Sequence, residues 1–113
     1  MKTVENDANG EVERIERRIA EIKRLLQNIG AARPGSLTRQ YRLPKEKVGP
    51  YYQVRYTHKM RSRTEYVRSE HVARIKREIA AYKRFKKLVA EWTDLALRQS
   101  SLRLKLPARE GKK

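Results

Sequence analysis

The apolar positions of this chain repeat with two different periods, which separate an extended segment from two helical ones. Between residues 51 and 67, polar and apolar side chains alternate, as they do on a strand that packs one face against a core. The apolar members of the first run are Tyr52, Val54 and Tyr56. After a basic bend at residues 58–61, Thr64 and Tyr66 continue the same face. This pattern predicts a two-stranded β-hairpin over residues 51–67.

The pairing of the two predicted strands follows from charge and side-chain type. Placing Arg55 opposite Glu65 also puts Val54 opposite Tyr66. Opposite charges and aromatic–β-branched neighbours each stabilise an antiparallel pair, by about 0.2–1 kcal/mol. We therefore expect this register, with Tyr66 facing the core. An isolated hairpin is marginally stable in water, so it must pack against the helices.

Two segments repeat every three or four residues and predict amphipathic helices over residues 11–30 and 69–99. The first has the a/d spacing of a coiled coil, which favours a coiled-coil-like body and a homo-oligomer, most simply a dimer. The alternative is a helix that packs within its own domain. The predicted core and oligomer positions are Val12, Ile15, Ile19, Ile22, Leu26, Ile29, Ile75, Ile79, Tyr82, Val89 and Trp92.

The remaining segments have no clear period. Residues 1–10 are polar and are expected to be flexible, and residues 31–50, with three of the four prolines, predict a basic linker. In the basic tail, residues 100–113, the leucines at 102, 104 and 106 fit either a short strand or a continued helix. The expected fold is mainly α with a β-hairpin, in the order α–ββ–α.

The charge is strongly positive and unevenly distributed. The chain carries 29 Lys and Arg against 13 Asp and Glu, a net charge of +16. Residues 1–30 balance six basic side chains against six acidic ones, whereas residues 31–69 carry ten against two. A basic segment of this kind favours a polyanion as partner.

Several functional classes have no support in the residues. The chain contains no cysteine and only two histidines, His58 and His71, so neither a metal site nor a cofactor is expected. We find no Gly-rich phosphate loop and no catalytic motif, so we expect no enzyme. The chain shows no secretion signal and no long apolar run, from which we expect a cytoplasmic protein with no membrane partner.

Basic side chains on and beside the predicted hairpin are the candidate nucleic-acid contacts. A two-stranded ribbon fits the major groove of duplex DNA. Tyr51, on the other face, is the better candidate for stacking on a base. Tyr52, Tyr56 and Tyr66 are assigned to the core, with a base-stacking surface as the alternative. The candidate contacts are Arg39, Arg42, Tyr51, Arg55, Lys59, Arg61, Arg63, Arg68, Arg74, Lys76 and Arg77.

Three short motifs followed by a long basic helix resemble a family of small uncharacterised domains. The motifs are Gly35-Ser36-Leu37, Gly49-Pro50-Tyr51-Tyr52 and Tyr66-Val67. That family is associated with mobile elements and with transposase-like or recombinase-like proteins. Its members carry a Cys-rich stretch between the first two motifs, where residues 38–48 of this chain have no cysteine. The resemblance implies a mobile-element or phage context and no particular chemistry.

Charge, pattern and resemblance together predict a non-enzymatic nucleic-acid-binding accessory protein, acting as an oligomer or with a larger protein. Duplex DNA is slightly favoured over structured RNA, which stays open as a ligand. The alternative is a scaffold or inhibitor that docks on an acidic protein through its basic face.

Overall fold

The computed structural model describes residues 4–107, with side chains from residue 7 onwards, and has a mixed α/β fold. The elements are α1 (Val4–Gln27), β1 (Ser36–Leu43), β2 (Val48–His58), β3 (Arg61–Val67), a 3₁₀ turn (Ser69–His71) and α2 (Val72–Arg103). The chain forms two compact units. We call Met1–Asn28 with Lys86–Lys113 the helical unit, and Ile29–Phe85 the sheet unit.

In the helical unit, α1 and the C-terminal part of α2 run antiparallel. Arg18 donates two hydrogen bonds to Glu91, at 2.7 and 2.9 Å, and Arg98 donates two to Glu11, at 2.9 and 3.2 Å. From Glu11 to Arg18 the chain advances seven residues along α1, while their partners go back seven residues along α2, from Arg98 to Glu91. The two helices are therefore antiparallel. The buried cluster consists of Ala8, Val12, Ile15, Ile19 and Leu102, with Trp92, Leu95 and Leu106 packed against it.

The stripe that predicts self-association is thus buried within one chain. Val12, Ile15 and Ile19 are each at most 8% exposed, and they pack against side chains of α2. This arrangement matches the alternative of a helix packed within its own domain. The homo-oligomer stays a prediction.

Each helix extends past its prediction at one end only. Helix α1 begins before residue 11 but ends at Gln27, short of the predicted residue 30, and α2 runs past residue 99. The expected flexible segment 1–10 is helical from Val4, and residues 1–3 lie outside the described residues. Ala8 precedes Val12 by four residues, so it extends the same stripe by one turn into the core. Helix α2 continues to Arg103 because Leu102 is buried, so the helical alternative for the tail is correct to that point. Residues 108–113 of the predicted tail lie outside the described residues.

Most predicted core positions are buried or half-buried. Val12, Ile15, Ile19, Ile22, Ile75 and Ile79 are buried, and Leu26, Ile29, Tyr82 and Trp92 are half-buried. The prediction that Val89 is buried is wrong, since it is 37% exposed whereas its neighbour Leu88 is 8% exposed. The two residues are adjacent in the sequence, and the three-four spacing of apolar residues fits either of them at the buried position.

The sheet unit contains three antiparallel strands in the order β1-β2-β3. The predicted linker over residues 31–50 is therefore wrong where β1 pairs with β2, from Ser36 opposite Arg55 to Leu43 opposite Val48. All residues of β1 are exposed except Leu37 and Tyr41, which are half-buried. Because β1 buries so few side chains, its sequence lacks the alternation of polar and apolar residues that marks a strand. Its position is held by backbone pairing with β2.

The register of β3 on β2 differs by one residue from the prediction. Lys59 and Met60 have positive φ angles of 52° and 64°, and they form a two-residue turn with His58 opposite Arg61. Val54 therefore lies opposite Glu65, so the predicted Arg55–Glu65 pair is wrong. A shift of one residue moves every side chain of a strand to the other face.

The part of α2 in the sheet unit covers one face of the sheet. The buried residues are Val54, Val67, Ile75 and Ile79, with Leu37, Tyr52 and Val72 packed against them. The helix was expected to begin at Ser69. Residues Ser69–His71 instead form a 3₁₀ turn, and α2 begins at Val72.

Gly35 precedes β1 at a position where a side chain would not fit. Its φ is +143°, and a Cβ would lie 2.7 Å from Val54 Cγ2 and 3.2 Å from the Arg55 carbonyl oxygen. We expect Gly35→Ala to lower the free energy of unfolding by about 1–3 kcal/mol, measured by urea denaturation. Gly30→Ala is the matched control, because no atom lies within 4 Å of its added Cβ. Equal urea midpoints for the two variants would contradict this packing.

The inter-helix ion pairs predict acid sensitivity. Hydrogen bonds from Arg98 and Arg18 lower the pKa of Glu11 and Glu91 below the ordinary value of 4.5. A lowered pKa in the folded state stabilises the fold above the unfolded pKa, and this contribution is lost as the pH falls below about 4.5. We expect Glu11→Gln with Glu91→Gln to lose less stability than the wild type on acidification, measured as Tm against pH. Glu13→Gln, an exposed position on α1, should behave as the wild type.

Candidate nucleic-acid interface

The sheet has a second face, whose side chains are exposed or half-buried. Side chains alternate along each strand, and residues directly opposite each other share a face. Tyr52 and Val54 face α2, so the odd-numbered residues of β2 lie on the other side. We call this side the open face. Its residues are Ser36, Thr38, Gln40 and Arg42 of β1, Tyr51, Gln53, Arg55 and Thr57 of β2, and Ser62, Thr64 and Tyr66 of β3.

The open face carries arginines, amides, hydroxyls and aromatic rings, and no carboxylate. The four acidic residues of the sheet unit lie elsewhere. Glu46 is in the β1–β2 turn, Glu65 is on the face towards α2, Glu70 is in the 3₁₀ turn and Glu78 is in α2. Glu65 accepts a hydrogen bond from Arg33 at 2.9 Å, and Glu78 accepts one from Arg74 at 2.7 Å. An anion on the open face would therefore meet no like charge there.

Two tyrosines form a stacked pair at one end of the open face. The ring centroids of Tyr51 and Tyr66 are 6.1 Å apart with an angle of 27° between the planes. The Arg42 guanidinium lies 5.4 Å from the centroid of Tyr51. Tyr51 is half-buried and Tyr66 is 61% exposed, so Tyr66 presents its ring to solvent. The pair is a supported aromatic surface beside a cation.

Hydroxyl groups and arginine border a shallow groove at the other end of the face. The lining residues are Pro34, Gly35, Ser36, Arg55, Tyr56, Thr57, Ser62, Arg63 and Thr64. The hydroxyl oxygens of Thr57 and Ser62 lie 3.2 Å apart in a hydrogen bond. Guanidinium and hydroxyl groups are among the usual donors to phosphate oxygens. The groove therefore suits a phosphate.

The structure separates the predicted contact residues. Arg42, Tyr51 and Arg55 lie on the open face, whereas the strand register places Arg39, Arg61 and Arg63 on the opposite side. Lys59 is in the turn, Arg68 follows β3, and Arg74, Lys76 and Arg77 are in α2. By register the hairpin arginines do not share one face, because Arg55 is odd-numbered in β2 whereas Arg61 and Arg63 pair with its even-numbered residues. Arg63 nevertheless borders the groove beside Arg55.

Two of the predicted contacts already have partners within the fold. The Arg39 guanidinium lies 5.4 Å from the ring of Tyr41, and its hydrogen bond with Tyr52 raises the pKa of Arg39. Arg74 donates its hydrogen bond to Glu78, one turn along α2. Both side chains therefore contribute to the sheet unit itself, and Arg42 and Arg55 are the better candidates for a ligand.

Sequence reasoning assigned Tyr66 to the core, with base stacking only as the alternative, and left it out of the candidate contacts. The predicted register placed its ring in the core, whereas it lies opposite Gln53 on the open face. The available signal was the length of the turn, since a two-residue turn at Lys59 and Met60 gives the observed register. Neither residue is the Gly or Asn that such turns favour, so the sequence did not indicate a two-residue turn at this position.

A family model described as a domain of unknown function, DUF6788, matches residues 12–77, more than half of the chain. The chain belongs to this family. The match spans all three strands, and therefore the whole open face. No curated protein and no solved structure matches the chain. The link to mobile elements stays a prediction.

Residues 4–107, which the structure describes, contain neither a membrane-spanning helix nor a cluster of metal ligands. Neither helix there is long and apolar enough to cross a membrane. No cluster of three or more His, Asp or Glu side chains there could hold a metal ion.

The register can be tested with engineered cysteines, because the natural chain has none. Thr57 and Ser62 lie directly opposite each other beside the pair that closes the two-residue turn. Such a pair has Cα atoms about 4.5 Å apart, which is within the range for a disulfide. We expect Thr57→Cys with Ser62→Cys to oxidise readily, measured by loss of free thiol. Thr57→Cys with Arg63→Cys, the pair favoured by the sequence-based register, should stay reduced, and the reverse result would overturn the observed register.

Proposed function

We propose that this protein is a non-enzymatic nucleic-acid-binding protein that uses the open face of its sheet unit. The observation that supports this most directly is the composition of that face, which combines arginines, hydroxyls and exposed aromatic surface without a carboxylate. Nucleic acid presents phosphates and aromatic bases together, so it complements both parts of the face.

The charge of the sheet unit supports the same proposal. Residues 29–85 carry 15 basic and four acidic side chains, a net charge of +11, of the chain total of +16. Self-repulsion of this size is relieved when a polyanion binds. Neutralising phosphates also releases condensed counterions, which makes the affinity dependent on salt.

The two open-face arginines lie on different strands and at different ends of the face. Arg42 is in β1, beside the tyrosine pair, and Arg55 is in β2, beside the hydroxyl groove. Both side chains are exposed, and no ion pair to a carboxylate holds either of them among the described residues. They can therefore contact two separate phosphates of one strand.

The test is the salt dependence of binding, measured by fluorescence anisotropy with labelled oligonucleotides. Arg42→Gln with Arg55→Gln should lower the slope of log K against log salt by about 1.4–1.8, because two phosphate contacts are lost. The matched control is Arg14→Gln with Arg17→Gln on α1, which removes two exposed arginines of the helical unit and should change the slope less.

The outcomes separate three cases. An equal change of slope in both double variants would mean that overall charge, and not the open face, binds the ligand. No binding of the wild type to single-stranded or duplex oligonucleotides would reject the proposed function. If the protein bound polyglutamate instead, the alternative function of docking on an acidic protein would replace nucleic-acid binding as the proposed function.

A further inference from the structure

We propose that the open face takes single-stranded nucleic acid in preference to duplex, with an unpaired base stacked on Tyr66 and a phosphate in the groove at Arg55. This inference rests on the proposed function and names its ligand. It differs from the expectation of duplex DNA that the sequence favours, for three structural reasons.

The first reason is the width of the sheet. A major groove of about 12 Å admits a two-stranded ribbon. Strands lie about 4.8 Å apart, so the outer strands of a three-stranded sheet are about 9.6 Å apart before their side chains are counted. β1 pairs with β2 as far as Arg55, which leaves only the short end of the hairpin as a two-stranded ribbon. The backbone of the open face is therefore twice as wide as that of a two-stranded ribbon, which leaves little room in the groove for its side chains.

The second reason is the orientation of the tyrosine rings. Within a duplex, both faces of a base are covered by neighbouring base pairs, so only an unpaired base can offer its face to a side chain. Tyr66 is 61% exposed, and its ring is supported by Tyr51, which in turn lies beside Arg42. A base on Tyr66 would continue an existing stack, with little ordering of the side chain on binding.

The third reason is the arrangement of polar groups around the rings. Gln53 lies directly opposite Tyr66, and Gln40 lies directly opposite Tyr51. Each amide is both a donor and an acceptor, so it can pair with the edge of a base that has no Watson–Crick partner.

The stacking ring and the arginine of the groove lie close enough for one short strand to reach both. Tyr66 lies opposite Gln53, and Arg55 follows Gln53 by two residues, which is about 7 Å along an extended strand. The hydroxyl groups of Ser36, Thr57, Ser62 and Thr64 border the groove beside Arg55. A strand that stacks a base at Tyr66 can therefore place a later phosphate at Arg55. The site fits a short single strand of RNA or DNA.

The experiment compares one sequence as single-stranded RNA, single-stranded DNA and duplex DNA, by anisotropy at about 0.15 M salt, where surface charge interactions are moderately screened. Tyr66→Ser should weaken binding of at least one single strand by about 5- to 150-fold, the range for loss of one base–aromatic stack. Its effect on duplex should be much smaller. Tyr66→Phe keeps the ring and should retain the wild-type affinity.

Phe85→Ser is the matched control, because Phe85 is a 40% exposed ring on α2, away from the open face. It should leave binding of both single strands unchanged. Circular dichroism and Tm would confirm that each variant is folded, which is expected for Tyr66 because its side chain lies outside the core cluster.

The results distinguish this inference from the proposed function. Preference for either single strand, with loss in Tyr66→Ser and recovery in Tyr66→Phe, supports it, and the stronger of RNA and DNA identifies the ligand. Equal or tighter binding of duplex, or full single-strand affinity in Tyr66→Ser, would overturn it while leaving nucleic-acid binding intact. Absence of all binding would reject both.

Discussion

The two-residue turn at Lys59 and Met60 determines which side chains reach the open face. With His58 opposite Arg61, the register of β3 places Val67 in the core and Tyr66 on the uncovered side. Both turn residues have positive φ angles, which disfavour side chains with a Cβ, and Met60 is 97% exposed. Burial of Val67 under α2 stabilises a turn that its own residues would not select. The stacked tyrosines and the hydroxyl groove both depend on this register.

The packing of α2 explains why one side of the sheet is available for a ligand. A single helix can cover one face of a three-stranded sheet, and here Ile75 and Ile79 lie over Val54. The other face is left to solvent and carries mainly polar side chains, which need no cover. Tyr51 and Tyr66 are the exceptions, and each reduces its exposed area by stacking on the other. Large rings on a polar face with no carboxylate are the feature on which the proposed binding role rests.

In the helical unit, unlike the sheet unit, ion pairs between the two helices lie beside a buried apolar seam. The Arg18–Glu91 and Arg98–Glu11 pairs flank the buried stripe and hold the antiparallel alignment of α1 and α2. These pairs are partly or fully exposed, so each contributes modestly, and the apolar seam contributes most of the stability. Acidic residues of the helical unit therefore pair with its basic residues, whereas the sheet unit keeps an excess of positive charge. This separation is consistent with structural and binding roles in different parts of the chain.

The sequence by itself determined the helices and the existence of a hairpin, because these depend on local periodicity. The three-four spacing of Val12, Ile15 and Ile19 identified a buried helical stripe, and the alternation of Tyr52 and Val54 identified the core face of β2. The concentration of basic residues around the hairpin was also apparent from the sequence. Arg42, Tyr51 and Arg55, now on the open face, were among the candidates that this charge and pattern suggested.

Only the tertiary structure decided the third strand, the register and the partner of the first helix. β1 half-buries only two side chains, Leu37 and Tyr41, so its pairing with β2 left no periodic signal. The register depended on backbone angles at Lys59 and Met60, and a change of one residue moved Tyr66 from the core to the open face. The stripe of α1 fitted a second chain as well as α2, because apolar spacing specifies that a face is buried and not what buries it. Contacts between segments distant in the sequence settle such choices, since their energies depend on positions that local patterns do not encode.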